Sequence, residues 1–194
     1  MTITRLYLPR NREELDAHFA ALSAEDLFLR FCSPVSPKYL TGYLDRLEVT
    51  GAPLYGIFNF RLELVAVSHF GVPAQPSSDL EVGLSVIETY RRKGLASTLL
   101  YRAASYARSR GFKALVFYCV AENTPMLSLA RRLGISVAIS QDEALGRLKI
   151  GAGTILDYWS ELSYDQADIV DSAAKRWQSA LLPVPAIRLR VPKS

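Results

Sequence analysis

Cysteine and histidine are scarce in this sequence, which has two of each among 194 residues. Cys32 and Cys119 lie far apart and lack the spacing of metal ligands, so we expect reduced cysteines that pack in the interior. No structural metal is implied. His18 and His69 are expected to be a surface residue and a sheet residue, respectively, and not catalysts.

Long apolar runs and strong charge bias are also lacking. A charged residue interrupts every apolar stretch before it reaches transmembrane length, and the first residues form no secretory hydrophobic core. We therefore expect a cytoplasmic protein without a membrane partner. The net charge of +4, with no Lys/Arg run longer than three residues, tolerates an anionic ligand but predicts no nucleic-acid partner.

What remains is the composition of a globular protein, with 49% hydrophobic and 22% charged residues. We expect one main domain over residues 1–162, followed by a C-terminal helix and a proline-containing tail over residues 163–194. Apolar and basic residues alternate near the end of the tail, which predicts an edge strand that pairs within the protein or in a homodimer. A disordered terminus is the equal alternative.

The spacing of apolar residues predicts the secondary structure. The first half predicts a strand, three helices and an antiparallel hairpin, at residues 3–8, 11–22, 24–31, 37–47, 54–60 and 62–72. The second half alternates strands and helices before a final group of strands, at residues 80–87, 93–110, 114–120, 125–133, 137–140, 146–150 and 154–162. The alternating order favours a parallel pairing within a mixed sheet, so the fold class is α/β with a mixed sheet.

A basic, glycine-containing segment joins the strand at residues 80–87 to the following helix. Unpaired N–H groups at a helix start bind phosphate, and Gly94 and Ala96 lack side chains that would block close approach. Three preceding basic residues supply positive charge. The residues of this predicted pyrophosphate site are Arg91, Arg92, Lys93, Gly94, Leu95, Ala96 and Ser97.

This segment resembles the acetyl-coenzyme A (acetyl-CoA) loop of the GNAT superfamily of N-acetyltransferases, whose pattern is matched by Arg91, Gly94 and Ala96. The resemblance continues at the family's spacing through residues 81–86, 121–123 and 130–134. It implies a GNAT-type domain over residues 1–162, with a mostly antiparallel mixed sheet flanked by helices. It also implies acetyl-CoA as cosubstrate and an amine as acetyl acceptor.

The resemblance further implies how the cosubstrate is held. The backbone of Leu84, Ser85 and Val86 is expected to pair with the pantetheine arm, and Asn123 matches a family residue near the cosubstrate. The strands that carry Val86 and Val120 are expected to splay apart and admit the thioester. Backbone N–H groups there would stabilise negative charge developing on the carbonyl oxygen.

Glu81 is the candidate general base. It shares a strand face with Gly83 and Ser85, opposite an apolar face, so it could project toward a substrate channel. The alternative is a solvent-facing strand carboxylate.

The usual general acid is missing. Many family members have a tyrosine seven residues after the matched asparagine, where this sequence has Ala130. Tyr118 and Ser128 are weak substitutes. The identity of the acid therefore stays open.

Residues 22–31, 126–127 and 130–134 also resemble the catalytic domain of bacterial protein lysine acetyltransferases that modify acyl-CoA synthetases, in which a glutamate before the loop is the proposed base. Three functions stay open: a protein lysine acetyltransferase, an acetyltransferase for a small amine, and a catalytically silent acyl-CoA binder that regulates a partner. An acetyl-cysteine route through Cys119 is disfavoured, since nothing nearby in sequence would activate its thiolate.

Overall fold

The computed structural model describes residues 3–71 and 78–151. Within these ranges the chain forms seven strands, five α-helices and one short 3₁₀ helix. In chain order they are β1 (Ile3–Leu6), α1 (Arg12–Ala20), α2 (Ala24–Phe31), α3 (Pro37–Thr50), β2 (Leu54–Phe58), β3 (Leu64–Gly71), β4 (Asp79–Val86), the 3₁₀ helix (Glu88–Tyr90), α4 (Leu95–Ser109), β5 (Ala114–Val120), α5 (Thr124–Arg132), β6 (Ser136–Ser140) and β7 (Glu143–Lys149).

Some predicted elements lie outside the described residues. These are the strand at residues 154–162 and the helix and edge strand expected within residues 163–194. Within the described ranges, none of the helices has the length and apolar character needed to cross a lipid bilayer.

The strands form one sheet in the order β1-β2-β3-β4-β5-β7-β6. All neighbours are antiparallel except β4 and β5, which confirms the predicted mixed, mostly antiparallel sheet. The parallel pairing of β4 with β5 is short, running only from Asp79↔Ala114 to Glu81↔Val116. Beyond it β4 stays paired with β3 and β5 with β7, so the two central strands separate as the sequence predicts.

Helices cover both faces of the sheet. On one face, apolar residues of α4 and α5, among them Leu99 and Leu129, pack against strand residues such as Phe70 and Phe117. On the other face, α1 and α3 contribute a second apolar cluster that contains Phe19. Burial of these two apolar stripes, and not helix propensity alone, fixes the helices to the sheet.

Local signals explain where several helices begin and end. α2 starts with a capping box: Ser23 Oγ accepts from the Asp26 N–H at 3.0 Å, and the Ser23 N–H donates to Asp26 Oδ2 at 3.3 Å. α3 runs to Thr50, three residues beyond the predicted end, because the following Gly51 adopts the left-handed conformation (φ +60°) that ends the helix.

Several other predicted boundaries were wrong by a few residues, and three of them have a clear local cause. β1 ends at Leu6 because the following Tyr7 N–H is bonded to the Asn11 side chain. α4 begins at Leu95, not at residue 93, because Gly94 has a left-handed backbone (φ +82°). β7 begins at Glu143, not at residue 146, because it pairs with β5 along its whole length.

His18 is the clearest correction, since it is buried and not a surface residue. Its Nδ1 lies 2.9 Å from the Leu64 carbonyl oxygen, and its Nε2 lies 2.8 Å from Ser85 Oγ. The carbonyl can only accept, so Nδ1 carries the proton and Nε2 accepts from the Ser85 hydroxyl. Burial lowers the pKa of His18 to about 4, which keeps the ring neutral.

The buried His18 makes stability depend on pH. Its pKa is lower in the folded than in the unfolded state, so its stabilising effect is complete above about pH 6.5 and is lost as pH falls toward 4. Between pH 7 and 4.5 we expect this residue to reduce the free energy of unfolding by about 2 kcal/mol. Urea unfolding of the wild type and of His18→Gln at both pH values checks this. Equal losses in the two proteins would contradict it.

Candidate functional site

The loop before α4 leads into a helix start whose first N–H groups are unpaired among the described residues. The first intrahelical bond runs from the Thr98 N–H to the Gly94 carbonyl oxygen at 3.0 Å. Within the described residues, the N–H groups of Leu95, Ala96 and Ser97 have no acceptor, and no acidic residue lies in this first turn. The helix therefore presents unpaired donors and its positive dipole end together, the arrangement that binds phosphate groups.

Arg91 is turned away from this helix start. Its Nη2 lies 2.5 Å from Asp26 Oδ1, and its Nε donates to the Val86 carbonyl oxygen at 3.2 Å. Burial raises the pKa of Asp26, but hydrogen bonds from Arg91 and Ser23 outweigh it, so the pKa is lowered on balance. Arg91 thus fixes the loop to α2. The sequence predicted that Arg91 binds the pyrophosphate, but its guanidinium is already paired with Asp26.

The neighbouring cations are more available to a ligand. Arg92 and Lys93 are exposed, and Lys93 Nζ lies 4.8 Å from the centroid of the Tyr90 ring. Arg132, in the last turn of α5, places Nη2 3.5 Å from Ser97 Oγ and so brings another cation to the same helix start. Sequence analysis did not assign Arg132 to the site; a basic pair ending α5 was its only signal.

The separated edge of β4 directs backbone groups at the gap, and of these the Val86 carbonyl oxygen already accepts from Arg91 Nε. Antiparallel pairing uses the N–H and C=O groups of alternate residues. The Ile87 N–H donates to the Val65 carbonyl oxygen, which fixes this alternation and directs the polar groups of Leu84 and Val86 away from β3, toward the gap beside β5. The structure thus brings two of the predicted strand contacts to the gap.

Ser85 lies differently from these neighbours. Its backbone falls on the side that pairs with Val67 of β3, and its hydroxyl contacts the buried ring of His18. The geometry therefore does not direct Ser85 into the gap, although the sequence grouped it with the pantetheine contacts. Its side chain instead ties β4 to α1.

A cavity of about 410 Å³ lies where β4 and β5 separate. Its lining comes from α2, α3, three strands and the start of α5. The lining residues are Leu29, Arg30, Phe31, Cys32, Tyr39, Tyr43, His69, Glu81, Val82, Gly83, Leu84, Phe117, Tyr118, Cys119, Asn123 and Met126. The cavity thus joins the exposed edge of β4 to residues of the N-terminal helices.

Glu81 lines this cavity and is half-buried. In the described part of the chain, its carboxylate has no hydrogen-bond or ion-pair partner, which leaves it available to a ligand.

His69 lies in the sheet as predicted, but it also lines the cavity. Burial and the nearby charge of Arg30 lower its pKa to about 4, so the ring is neutral at neutral pH.

The candidates for a general acid differ in position. Tyr118 lines the cavity with 51% of its surface exposed. Ser128 is exposed on α5 and is not among the lining residues, whereas Ala130 is fully buried in the core. Tyr118 is therefore the substitute that the geometry retains.

Neither cysteine has the character of an activated nucleophile. Both are unpaired thiols that line the cavity. Burial raises the pKa of Cys119 to about 11 and also raises the pKa of Cys32. Both thiols are protonated near neutral pH, which disfavours a covalent acetyl-cysteine route.

Asn123 combines a structural role with a place in the cavity. Its Oδ1 caps α5 by accepting from the Met126 N–H at 3.0 Å, and its Nδ2 donates to the Leu29 carbonyl oxygen at 3.3 Å. It therefore links α5 to α2 beside the gap. Residues 3–71 and 78–151 contain no group of three or more His, Cys, Asp or Glu side chains that could hold a metal ion.

Comparison with known proteins identifies relatives of this arrangement. The sequence model of the acetyltransferase (GNAT) family matches residues 25–135. Among solved structures, the GNAT domain of S. lividans PAT is similar at 20% identity and a TM-score of 0.63, over 76% of this chain and 89% of that one.

Two further structures show the same fold. The ribosomal-protein-alanine N-acetyltransferase from Brucella melitensis matches at 17% identity and a TM-score of 0.60, over 77% of this chain and 100% of that one. A phosphinothricin acetyltransferase from Sinorhizobium meliloti, solved in complex with acetyl-CoA, matches at 16% identity and a TM-score of 0.57, over 79% and 91%.

Proposed function

The chain belongs to the GNAT acetyltransferase family, and from that premise we propose that it transfers the acetyl group of acetyl-CoA to a primary amine. The opening between β4 and β5 carries this proposal. β4 runs from the cavity at Glu81 to Val86, next to the loop that leads into the anion-binding start of α4. A ligand that is anionic at one end and reactive at the other fits this path.

The residues along this path fit acetyl-CoA. The N–H groups of Leu95, Ala96 and Ser97 would bind its pyrophosphate, with Arg92, Lys93 and Arg132 as surrounding cations. The N–H and C=O groups of Leu84 and the N–H group of Val86 would bond the amides of the pantetheine arm. Acetyl-CoA bound to the similar phosphinothricin acetyltransferase supports the same cosubstrate here.

Glu81 is the group best placed to activate the acceptor. A primary amine is protonated near neutral pH and must lose a proton before its lone pair attacks the acetyl carbonyl carbon. The Glu81 carboxylate would attract the ammonium and take this proton, directly or through water. The C–S bond then breaks, and N–H groups on the edge of β4 would stabilise the charge that develops on the carbonyl oxygen.

The departing thiolate receives a proton or leaves as the anion. Tyr118 is the cavity residue that could donate this proton, and its partial exposure allows it to recover one from solvent. A coenzyme A thiolate needs little assistance to leave. We therefore assign Tyr118 a secondary part in the reaction.

We expect Gly94→Glu to abolish acetyl-CoA binding, because its carboxylate would obstruct and repel the pyrophosphate. Gly111→Glu is the matched control. Both glycines have positive φ (+82° and +74°) and open space at the Cβ position, so both variants carry a similar backbone penalty, but Gly111 lies at the other end of α4.

Calorimetric titration with acetyl-CoA measures the effect, and thermal unfolding verifies that both variants fold. Binding lost only in Gly94→Glu supports the site. Undiminished binding by a folded Gly94→Glu protein would place the pyrophosphate elsewhere.

We expect Glu81→Gln to reduce kcat by about 100- to 10,000-fold on the best acceptor from an amine panel, with acetyl-CoA affinity unchanged. Release of coenzyme A thiol measures turnover. His69→Asn tests a second candidate base that lines the cavity. A larger kcat loss in His69→Asn than in Glu81→Gln would show that the base is misassigned.

A further inference from the structure

The acceptor end of the cavity contains a cation that forms no ion pair with an acidic side chain of the described residues. Among the described residues that line the cavity, Arg30 and Glu81 are the formally charged side chains. Arg30 Nη2 donates to Tyr43 Oη at 3.2 Å. No carboxylate of the described residues lies within ion-pair distance of its guanidinium.

The fold holds this guanidinium in place. Its Cζ lies 4.8 Å from the centroid of the Phe31 ring, and the group lies directly over Gly83, where an added Cβ would overlap it. The absence of a side chain at position 83 therefore creates the space that Arg30 occupies. A half-buried guanidinium with spare donors and no counter-ion is suited to bind a carboxylate, often through two parallel hydrogen bonds.

Arg30 also determines what sort of amine can enter. A lysine side chain carries one positive charge into the cavity, which Glu81 attracts but Arg30 repels. A molecule with both an ammonium and a carboxylate satisfies both residues. The aromatic side chains of Phe31, Tyr39 and Tyr43 line the same cavity and offer apolar contacts to such a molecule.

The spacing fits the smallest such molecule. Glu81 and Gly83 are same-face neighbours on β4, so their Cα atoms lie roughly 7 Å apart, and the Arg30 guanidinium lies over Gly83. In an α-amino acid the nitrogen and the carboxyl carbon are about 2.5 Å apart, and a hydrogen bond of about 3 Å at each end spans that separation.

We propose that the acetyl acceptor is a small amino carboxylate, of the α-amino acid class, with its ammonium at Glu81 and its carboxylate held by Arg30. This rests on the proposed acetyl transfer. Arg30 is then a specificity-determining residue: it binds the acceptor and does not move protons. The acetyl group forms an amide bond to the acceptor nitrogen as the thioester C–S bond breaks.

The test compares L-amino acids with the corresponding amides and decarboxylated amines as acceptors, with rates corrected to the neutral amine. We expect the wild type to favour amino acids by about 10- to 100-fold in kcat/KM. Arg30→Gln should remove this preference, mainly through KM, while acetyl-CoA affinity stays unchanged. Arg30→Lys should restore part of it, because it keeps the charge but loses the planar donor pair.

Two further variants serve as controls. One displaces the Arg30 guanidinium without removing its charge, and the other removes a positive charge outside the cavity. Gly83→Ala keeps Arg30 but displaces its guanidinium, so it should show the same loss of preference. Arg61→Gln removes an exposed arginine in the turn between β2 and β3 and should leave the preference intact.

The results that would contradict the acceptor proposal can be distinguished from those that would contradict the proposed function. If the wild type does not bind acetyl-CoA, the proposed function fails. If acetyl-CoA binds but lysine peptides or uncharged amines are acetylated in preference to amino acids, the acceptor proposal alone is overturned. The same conclusion follows if amino acids neither react with nor bind to the protein loaded with coenzyme A, or if Arg30→Gln weakens acetyl-CoA binding without changing acceptor preference.

Discussion

The short pairing between β4 and β5 is the constraint on which the whole site depends. Each strand stays ordered because its other edge is paired, β4 with β3 and β5 with β7, so the two can separate after Glu81↔Val116 without unfolding. Separation exposes polar backbone groups of Leu84 and Val86, which a fully paired sheet would use internally. On the other side of β5, Gly146 of β7 leaves space for the Phe117 ring, because a Cβ atom at position 146 would overlap that ring.

Helix α2 joins the two ends of this opening. Asp26 near its start pairs with Arg91 of the phosphate loop, Leu29 accepts from Asn123 at the start of α5, and Arg30 lies over Gly83 of β4. One eight-residue helix thus touches the cosubstrate loop, the far side of the gap and the acceptor cavity. A shift of α2 would alter all three regions together, so its capping box bears on function as well as on helix stability.

Sequence patterns predicted the type and order of most elements, because these depend on the local apolar period, and they drew attention to the glycine-containing loop before α4. They also placed Glu81 and Gly83 on one strand face. They did not predict the surroundings of the site, because Arg30, Tyr43 and His69 come from three elements brought together only by tertiary packing. The burial of His18 was missed for the same reason: its partners, Leu64 and Ser85, are 46 and 67 residues away.

Residue-resolved amide hydrogen exchange, with and without acetyl-CoA, tests the central claim most directly. If the cosubstrate occupies the gap, the N–H groups of Leu84 and Val86 will exchange more slowly when it is added. Those of Gly83 and Ser85, already directed at β3, will change little. Protection that appears elsewhere while Leu84 and Val86 exchange as before would contradict the account, because the separated strands would then not form the binding site.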